Sequence, residues 1–213
     1  MADASPQVPR RLTGPQRRRR ILDAAVEAFA ARGYDGASMR EIAAASGVTK
    51  PVLYDHFASK RDLFVALLET ISAGLMQRAA QAMALDAPLG ERITAGVAAF
   101  FEEVEARPAE ARLLLVTPRA EPALAEASRA LQDRVTLALA DLLAAEPGLL
   151  AGAPDRRRRL EIAAEFVKQG LHGLAEWWAG HPEVPRPAIV AAAREIVWSG
   201  LRGHLGRPGR PET

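Results

Sequence analysis

The chain has 213 residues, 49% hydrophobic and 25% charged, with no cysteine. This is ordinary globular composition with enough apolar material for one or two cored domains. The missing cysteines exclude disulfide frameworks, thiolate metal sites and thiol catalysis. The net charge of +2 is unevenly spread. Residues 1–60 carry 10 Lys and Arg against 6 Asp and Glu, a net +4, whereas residues 61–213 carry 18 against 20, a net −2. A small basic part ahead of a larger acidic one suggests that only the first meets a polyanion. No uncharged apolar run reaches the ~18 residues of a membrane span. Met1–Gln16 lacks the apolar stretch of a secretory signal. The cytoplasm is therefore the expected compartment, with no membrane partner.

Alanine, leucine, arginine and glutamate dominate, all strong helix formers. No segment alternates with the period of a strand. Glycine and proline divide the chain into nine predicted helices, and the fold class is all-α. The first spans about Gln16 to Arg32, with Ile21, Leu22, Ala25, Val26 and Phe29 on one face and Gly33 at its end. Ser38 and Glu41 read as a capping box opening a short helix to Ala45. Gly47 turns the chain. Thr49 caps a third helix with Pro51 in its first turn. Ser59 and Asp62 open a long fourth helix to Met83. The remaining predicted helices are Leu89–Ala106, Ala109–Thr117, Ala123–Ala145, Asp155–Ala179 and Ala188–Leu205. The division is an arm over 1–15, a first domain over 16–60, a larger helical domain over 61–205 and a tail over 206–213.

Two short helices joined by a glycine turn make a helix-turn-helix. Ile42, Ala43, Val48 and Leu53 face inward. Lys50, Pro51, Val52, Tyr54 and His56 project outward, where lysine suits phosphate or guanine and the apolar pair suits a thymine methyl. The ordered set Ile21-Leu22-Asp23-Ala24-Ala25, Phe29, Arg32-Gly33-Tyr34, Ser38, Ile42-Ala43, Gly47-Val48, Leu53-Tyr54-Asp55-His56-Phe57, Lys60 and Leu63-Phe64 resembles the DNA-binding domain of the TetR family of transcriptional regulators. The resemblance spans about residues 16–66. It implies backbone contacts from Ser38, Lys50, Tyr54, His56 and Lys60, and base reading by Thr49, Lys50, Pro51 and Val52. It also implies a double-stranded DNA operator, a homodimer and a small-molecule effector. Pro51 departs from the small residue frequent there in the family. Asp55 is expected to point away from phosphate.

Arg17–Arg20 suits either a backbone-contacting arm or a solvated surface. Arg156–Arg159, at a helix N-terminus where cations oppose the dipole, reads as a solvated face. His56, His172, His181 and His204 show no metal-binding spacing, and no nucleophile or phosphate-loop motif occurs. Neither a metal, a cofactor nor an enzyme activity is expected.

Helix 155–179 is apolar on two sides. Leu160, Ala164, Val167, Leu171, Leu174 and Trp178 form one. Ile162, Phe166, Gln169, Gly173 and Trp177 form the other, since two residues advance about 200°. One side can fill its own domain's core and the other needs a partner. Spacing alone leaves open which is which. The dimer contacts are assigned to Leu160, Val167, Leu171, Leu174 and Trp178, with Ile196, Gly200 and Leu201 of the last helix. An effector pocket is expected around Phe100, Phe101, Leu114, Phe166, Gln169, His172 and Trp177, with Phe64 nearby. Few charges among them suggest an apolar or aromatic ligand. The resulting expectation is a ligand-released repressor on an inverted-repeat operator. A homodimeric interaction protein without ligand control, or an enzyme in a helical bundle, are the rival readings. The first would lack a basic recognition face, and the second would need converging titratable groups.

Overall fold

The computed structural model describes residues 12–115 and 122–203. Within them the chain is all-α, in nine helices with no strand. The expected arm residues 1–11, the sixth helix's end at Thr117, Pro118, His204 and the tail lie outside the described residues.

Helix α1, Gly14–Gly36, begins two residues earlier than periodicity predicts. Thr13 and Gln16 form a capping box. The Thr13 amide donates to the Gln16 carboxamide at 2.9 Å, and the Gln16 amide donates to the Thr13 hydroxyl at 3.4 Å. Gly33 interrupts the helix with φ +69, a region that favours glycine. The predicted apolar face, Ile21 to Phe29, is buried.

Helix α2, Met39–Ser46, starts at Ser38, whose hydroxyl accepts from the Arg40 amide at 3.3 Å. Glu41 does not complete the expected capping box. It pairs instead with Arg32 of α1, since a charged partner binds a carboxylate more strongly than a neutral amide does. Gly47 closes α2 in the left-handed conformation, φ 70 and ψ 25. Its amide points at the Ala43 and Ala44 carbonyls, and the Val48 amide returns to Ala43 at 3.1 Å. Helix α3, Lys50–His56, carries Pro51 in its first turn. Thr49 is extended as a cap should be, but its hydroxyl makes no capping bond, which corrects the role expected of that side chain.

Helix α4 runs over Lys60–Met83, and the Asp62 amide donates to the Ser59 hydroxyl at 3.0 Å. By length and composition it could cross a bilayer. Glu69 and Arg78 interrupt it, and Leu63, Phe64, Leu67, Leu68 and Ile71 are buried in protein. The chain divides into two compact units inside α4, between Leu67 and Leu68. This is later than the boundary expected after residue 60. The first turns of α4 belong to the first unit because Phe64 packs edge-on against Phe29 at 5.0 Å and Tyr34 at 5.3 Å. That placement also removes Phe64 from the pocket region.

The second unit holds α5 (Leu89–Ala106), α6 (Pro108–Leu115), α7 (Pro122–Ala144), α8 (Arg156–Ala179) and α9 (Arg186–Arg202). Helix α5 packs on α9, and α7 on α8. Its core joins Ile93, Val97 and Phe101 of α5 to Leu160, Ala164 and Ala175 of α8 and Ile189 and Ala193 of α9. The run Arg156–Arg159 is not merely solvated. The Arg156 guanidinium donates to the carbonyls of Leu149 (3.0 Å), Ala144 (3.2 Å) and Glu146 (2.9 Å), satisfying acceptors at and just beyond the end of α7. Arg157 pairs with Asp141 and Glu161, and Arg158 with Glu161.

Candidate DNA-binding surface and effector cavity

In the first unit, buried Leu53 and Phe57 anchor α3 while its other side stays accessible. Thr49, Lys50, Pro51 and Tyr54 are exposed, and Val52 and His56 are half-buried. The Lys50 ammonium lies 5.8 Å from the Tyr54 ring centre. A cation, a phenol and an unused Thr49 hydroxyl thus share the start of α3. This is the part of a recognition helix that enters a major groove.

Two expected contacts have local work as well. The Ser38 hydroxyl is used in capping α2. The Lys60 ammonium donates to the Asp35 carbonyl at 3.1 Å and sits 4.7 Å above Tyr34. That ammonium ties α4 to the end of α1. Within the arginine run, Arg17 donates twice to the Leu12 carbonyl at 3.2 and 3.0 Å, and Arg18 lies over the Phe57 ring at 5.1 Å. Arg18 therefore belongs beside α3, which the run itself did not reveal because consecutive residues point to different sides of a helix.

The second unit holds a half-open cavity of about 150 Å³. Helices α4 to α9 contribute its walls, largely through Leu75, Met76, Met83, Ile93, Val97, Leu139 and Leu143. Of the residues expected there, Phe100, Leu114 and His172 line it. Phe101 does not. It is fully buried in the core and meets Trp178 edge-on at 5.7 Å. Phe166, Gln169 and Trp177 lie on the outside of α8, Phe166 at 72% exposure, and Gln169 donates to Glu165 at 2.8 Å.

The dimer assignment is corrected in the complementary way. Leu160 is fully buried, Leu174 and Trp178 pack on the same core, and the Trp178 indole donates to the Val184 carbonyl at 2.7 Å. Val167, Leu171 and Leu201 line the cavity. Only Ile196 and Gly200 of that set are exposed. On α8 the stripe expected at the dimer is thus the one turned inward, and Phe166, Gln169 and Trp177 of the stripe expected at the pocket are exposed. Helical spacing finds two apolar stripes, but the α5 and α7 side chains decide which one is enclosed.

Apart from His172, the cavity's polar lining was not legible in sequence. Arg78, Arg92 and Lys168 reach it, with Ser72, Gln132 and His172, and no carboxylate does. Each cation is balanced from outside the lining: Arg78 by Glu103 at 2.8 Å, Arg92 by Glu146, Lys168 by Glu165 at 2.7 Å. Lys168 is almost wholly enclosed. It also donates to the Gln132 carbonyl at 3.1 Å and the Thr136 hydroxyl at 2.6 Å, which uses all three of its protons. Burial alone would raise the Glu165 pKa, but hydrogen bonds from Lys168, Thr136 and Gln169 hold it at about 2. Burial, reinforced by Lys168 and opposed by Glu165, lowers the His172 pKa, so its ring, stacked on Phe100 at 6.0 Å, is neutral at pH 7. Arg92 Nε and Gln132 Oε1 are buried without a hydrogen-bond partner. One donor and one acceptor are therefore unpaired among the residues of an otherwise apolar wall. Among the described residues, no cluster of His, Asp or Glu is placed to hold a metal.

The family model for bacterial regulatory proteins of the tetR family matches residues 21–67, ending where the first unit ends. Along most of its length, the chain is 33% identical over 192 residues to the HTH-type transcriptional activator FasR of Mycolicibacterium smegmatis, covering 90% of this chain and 85% of that one. The chain belongs to the TetR family. TetR-family relatives in these comparisons are transcriptional regulators, not enzymes. The HTH-type transcriptional repressor AcnR of Corynebacterium glutamicum is 35% identical over 60 residues, covering 28% of this chain and 32% of AcnR. The fold of both units is shared with the transcriptional regulator FadR of Bacillus subtilis, solved in complex with stearoyl-CoA. The TM-score is 0.73 at 19% identity, covering 86% of this chain and 98% of FadR. As a TetR-family member the chain is a DNA-binding transcriptional regulator.

Proposed function

We propose that this regulator binds an inverted-repeat operator as a homodimer and leaves it when an amphiphilic effector fills the second unit's cavity. The cavity carries the reading: its apolar walls suit a hydrocarbon chain. The unpaired Arg92 Nε, in a lining without carboxylates, suits an acceptor-rich head. This revises the apolar or aromatic ligand expected from sequence. The stearoyl-CoA held by the similarly folded FadR supports an acyl thioester as the first class to try. An effector shifts the operator equilibrium only by its different affinity for the bound and free states. Helix α4, which passes from one unit into the other, is the element through which that difference would act.

The outer face of α8 and α9 supports the dimer. Ile162, Phe166, Trp177 and Ile196 are exposed there. Gly170, Gly173 and Gly200 leave open space where a side chain would stand, which lets another helix approach closely. The DNA contacts proposed are Thr49 to Val52 for bases and Ser38, Lys50, Tyr54, His56 and Lys60, joined by Arg18, for the backbone. The compartment is the cytoplasm, where the operator lies.

The repressor reading follows from release by ligand when the operator overlaps a promoter. A second reading has a specific support: FasR, matched along most of this chain, is named an activator, whereas AcnR, named a repressor, matches only the DNA-binding part. Selection of bound sequences from random duplexes, followed by acyl-CoA titration of the selected complex, tests operator and effector together. Release by a long-chain acyl-CoA is expected. Unchanged affinity across the chain-length series would remove the effector class. Transcription in vitro from a promoter carrying the selected site then assigns the sign.

A further inference from the structure

The cavity and the outer face of α8 and α9 share residues. Val167, Val197 and Leu201 line the cavity. The same three line a shallow apolar groove outside, beside Ile162, Phe166 and Ile196. Between the cavity and the face proposed to meet a second copy there is therefore one layer of side chains. Leu201 is buried, and Val167 and Val197 are half-buried. A single layer of this kind has no second layer behind it to absorb a displacement. Nor can α8 simply retreat at this point. Lys168, next to Val167, is tied to α7 through the Gln132 carbonyl and the Thr136 hydroxyl. Pressure from within is relieved by turning these three side chains outward or by moving α9.

We infer that this partition is where effector size is read by the partner subunit. A chain long enough to press on Val167, Val197 and Leu201 from inside changes the surface offered to the second copy, and with it the dimer dissociation constant. A shorter occupant of the same cavity binds without doing so. The inference rests on the dimer and acyl-effector reading above. Coupling of this kind is reciprocal: whatever factor the effector applies to dimerisation, dimerisation applies to effector affinity.

The test is sedimentation of the full chain with straight-chain acyl-CoA probes from octanoyl to stearoyl, their binding measured separately. Beyond a threshold length the dimer constant is expected to shift by roughly fivefold or more, the low end of measured couplings. Val197→Ala, which makes the partition recede, moves the threshold to longer chains, and Val197→Ile moves it to shorter ones. A ligand-free arm fills the cavity from the protein itself. A Cβ at Gly96, on the α5 wall, meets only the Ala82 methyl, at an ordinary 3.8 Å. Gly96→Leu therefore acts as a built-in occupant, with Ala79→Leu on α4 as a second choice should the first not fold. Both are expected to move the dimer constant in the sense of the long probes. Probes that bind without any length-dependent shift, with silent filled-cavity variants, overturn the partition and leave the effector reading intact. Filled-cavity variants that shift the dimer although no probe binds support the partition and overturn the acyl class. A wild-type mass of 22.9 kDa at micromolar concentration overturns both.

Discussion

The two units are made of the same element and hold it in place differently. In the first unit, helix ends are set by local chemistry within a few residues: Thr13 with Gln16, Ser38 with Arg40, Gly47 with Ala43 and Ala44. In the second, two ties reach farther than the 25-residue Lys60–Asp35 bond of the first: Lys168 reaches Gln132, 36 residues away, and Arg92 reaches Glu146, 54 residues away. Local closure suits a rigid reader that must present α3 in one geometry.

The sharpest way to separate the units is to unfold one. Leu53 is fully buried between α3 and its neighbours. Leu53→Ala is expected to cost roughly 2–5 kcal/mol and to abolish operator binding. Acyl-CoA binding, read by calorimetry, should persist. Loss of both together would mean that the second unit depends on the first.

The next effect concerns the two sides of α8. Phe166 is 72% exposed, so Phe166→Glu should leave subunit folding within about 0.5 kcal/mol while weakening the dimer at least about tenfold, read by sedimentation. Leu160→Ala should do the reverse, costing roughly 2–5 kcal/mol of thermal stability through a core cavity. If Leu160 governed dimerisation and Phe166 did not, the original assignment would be restored.

Smaller changes test the recognition surface. Arg18→Ala should weaken binding to all duplexes alike and lower the salt slope by about one unit per lost phosphate contact. Val52→Ala should instead alter preference at one position per half-site, by roughly 1–3 kcal/mol. Lys60→Ala is expected to act partly through the freed Asp35 carbonyl, so it should lower the first unit's melting temperature as well as affinity. An unchanged melting temperature would make Lys60 a DNA contact alone.

The smallest effect is a pH dependence confined to the second unit. The folded-state pKa of Glu165 is lowered, to about 2. Its contribution is therefore present above the ordinary carboxylate value and is lost as pH falls from there toward 2. Glu165→Gln should flatten that part of the acid-stability curve. His172 also has a lowered pKa, so the unfolded state takes up its proton first. Stability should fall as pH drops below about 6.5, and His172→Phe should remove that slope.

The sequence by itself determined the all-α class, the order of the helices, the buried face of α1 and the α2–α3 turn. These follow from residue propensities, from a 3.6-residue period and from caps that act within one turn. In the second unit, two apolar stripes on α8 and three cavity residues, Phe100, Leu114 and His172, were readable. Tertiary structure decided which stripe is enclosed, because burial depends on what α5 and α7 place opposite, and periodicity carries no such information. It also brought Arg78, Arg92 and Lys168 to one cavity from three separate helices and left their carboxylates outside it. No spacing along the chain records that, since the three cations lie 14 and 76 residues apart and meet only where the helices pack.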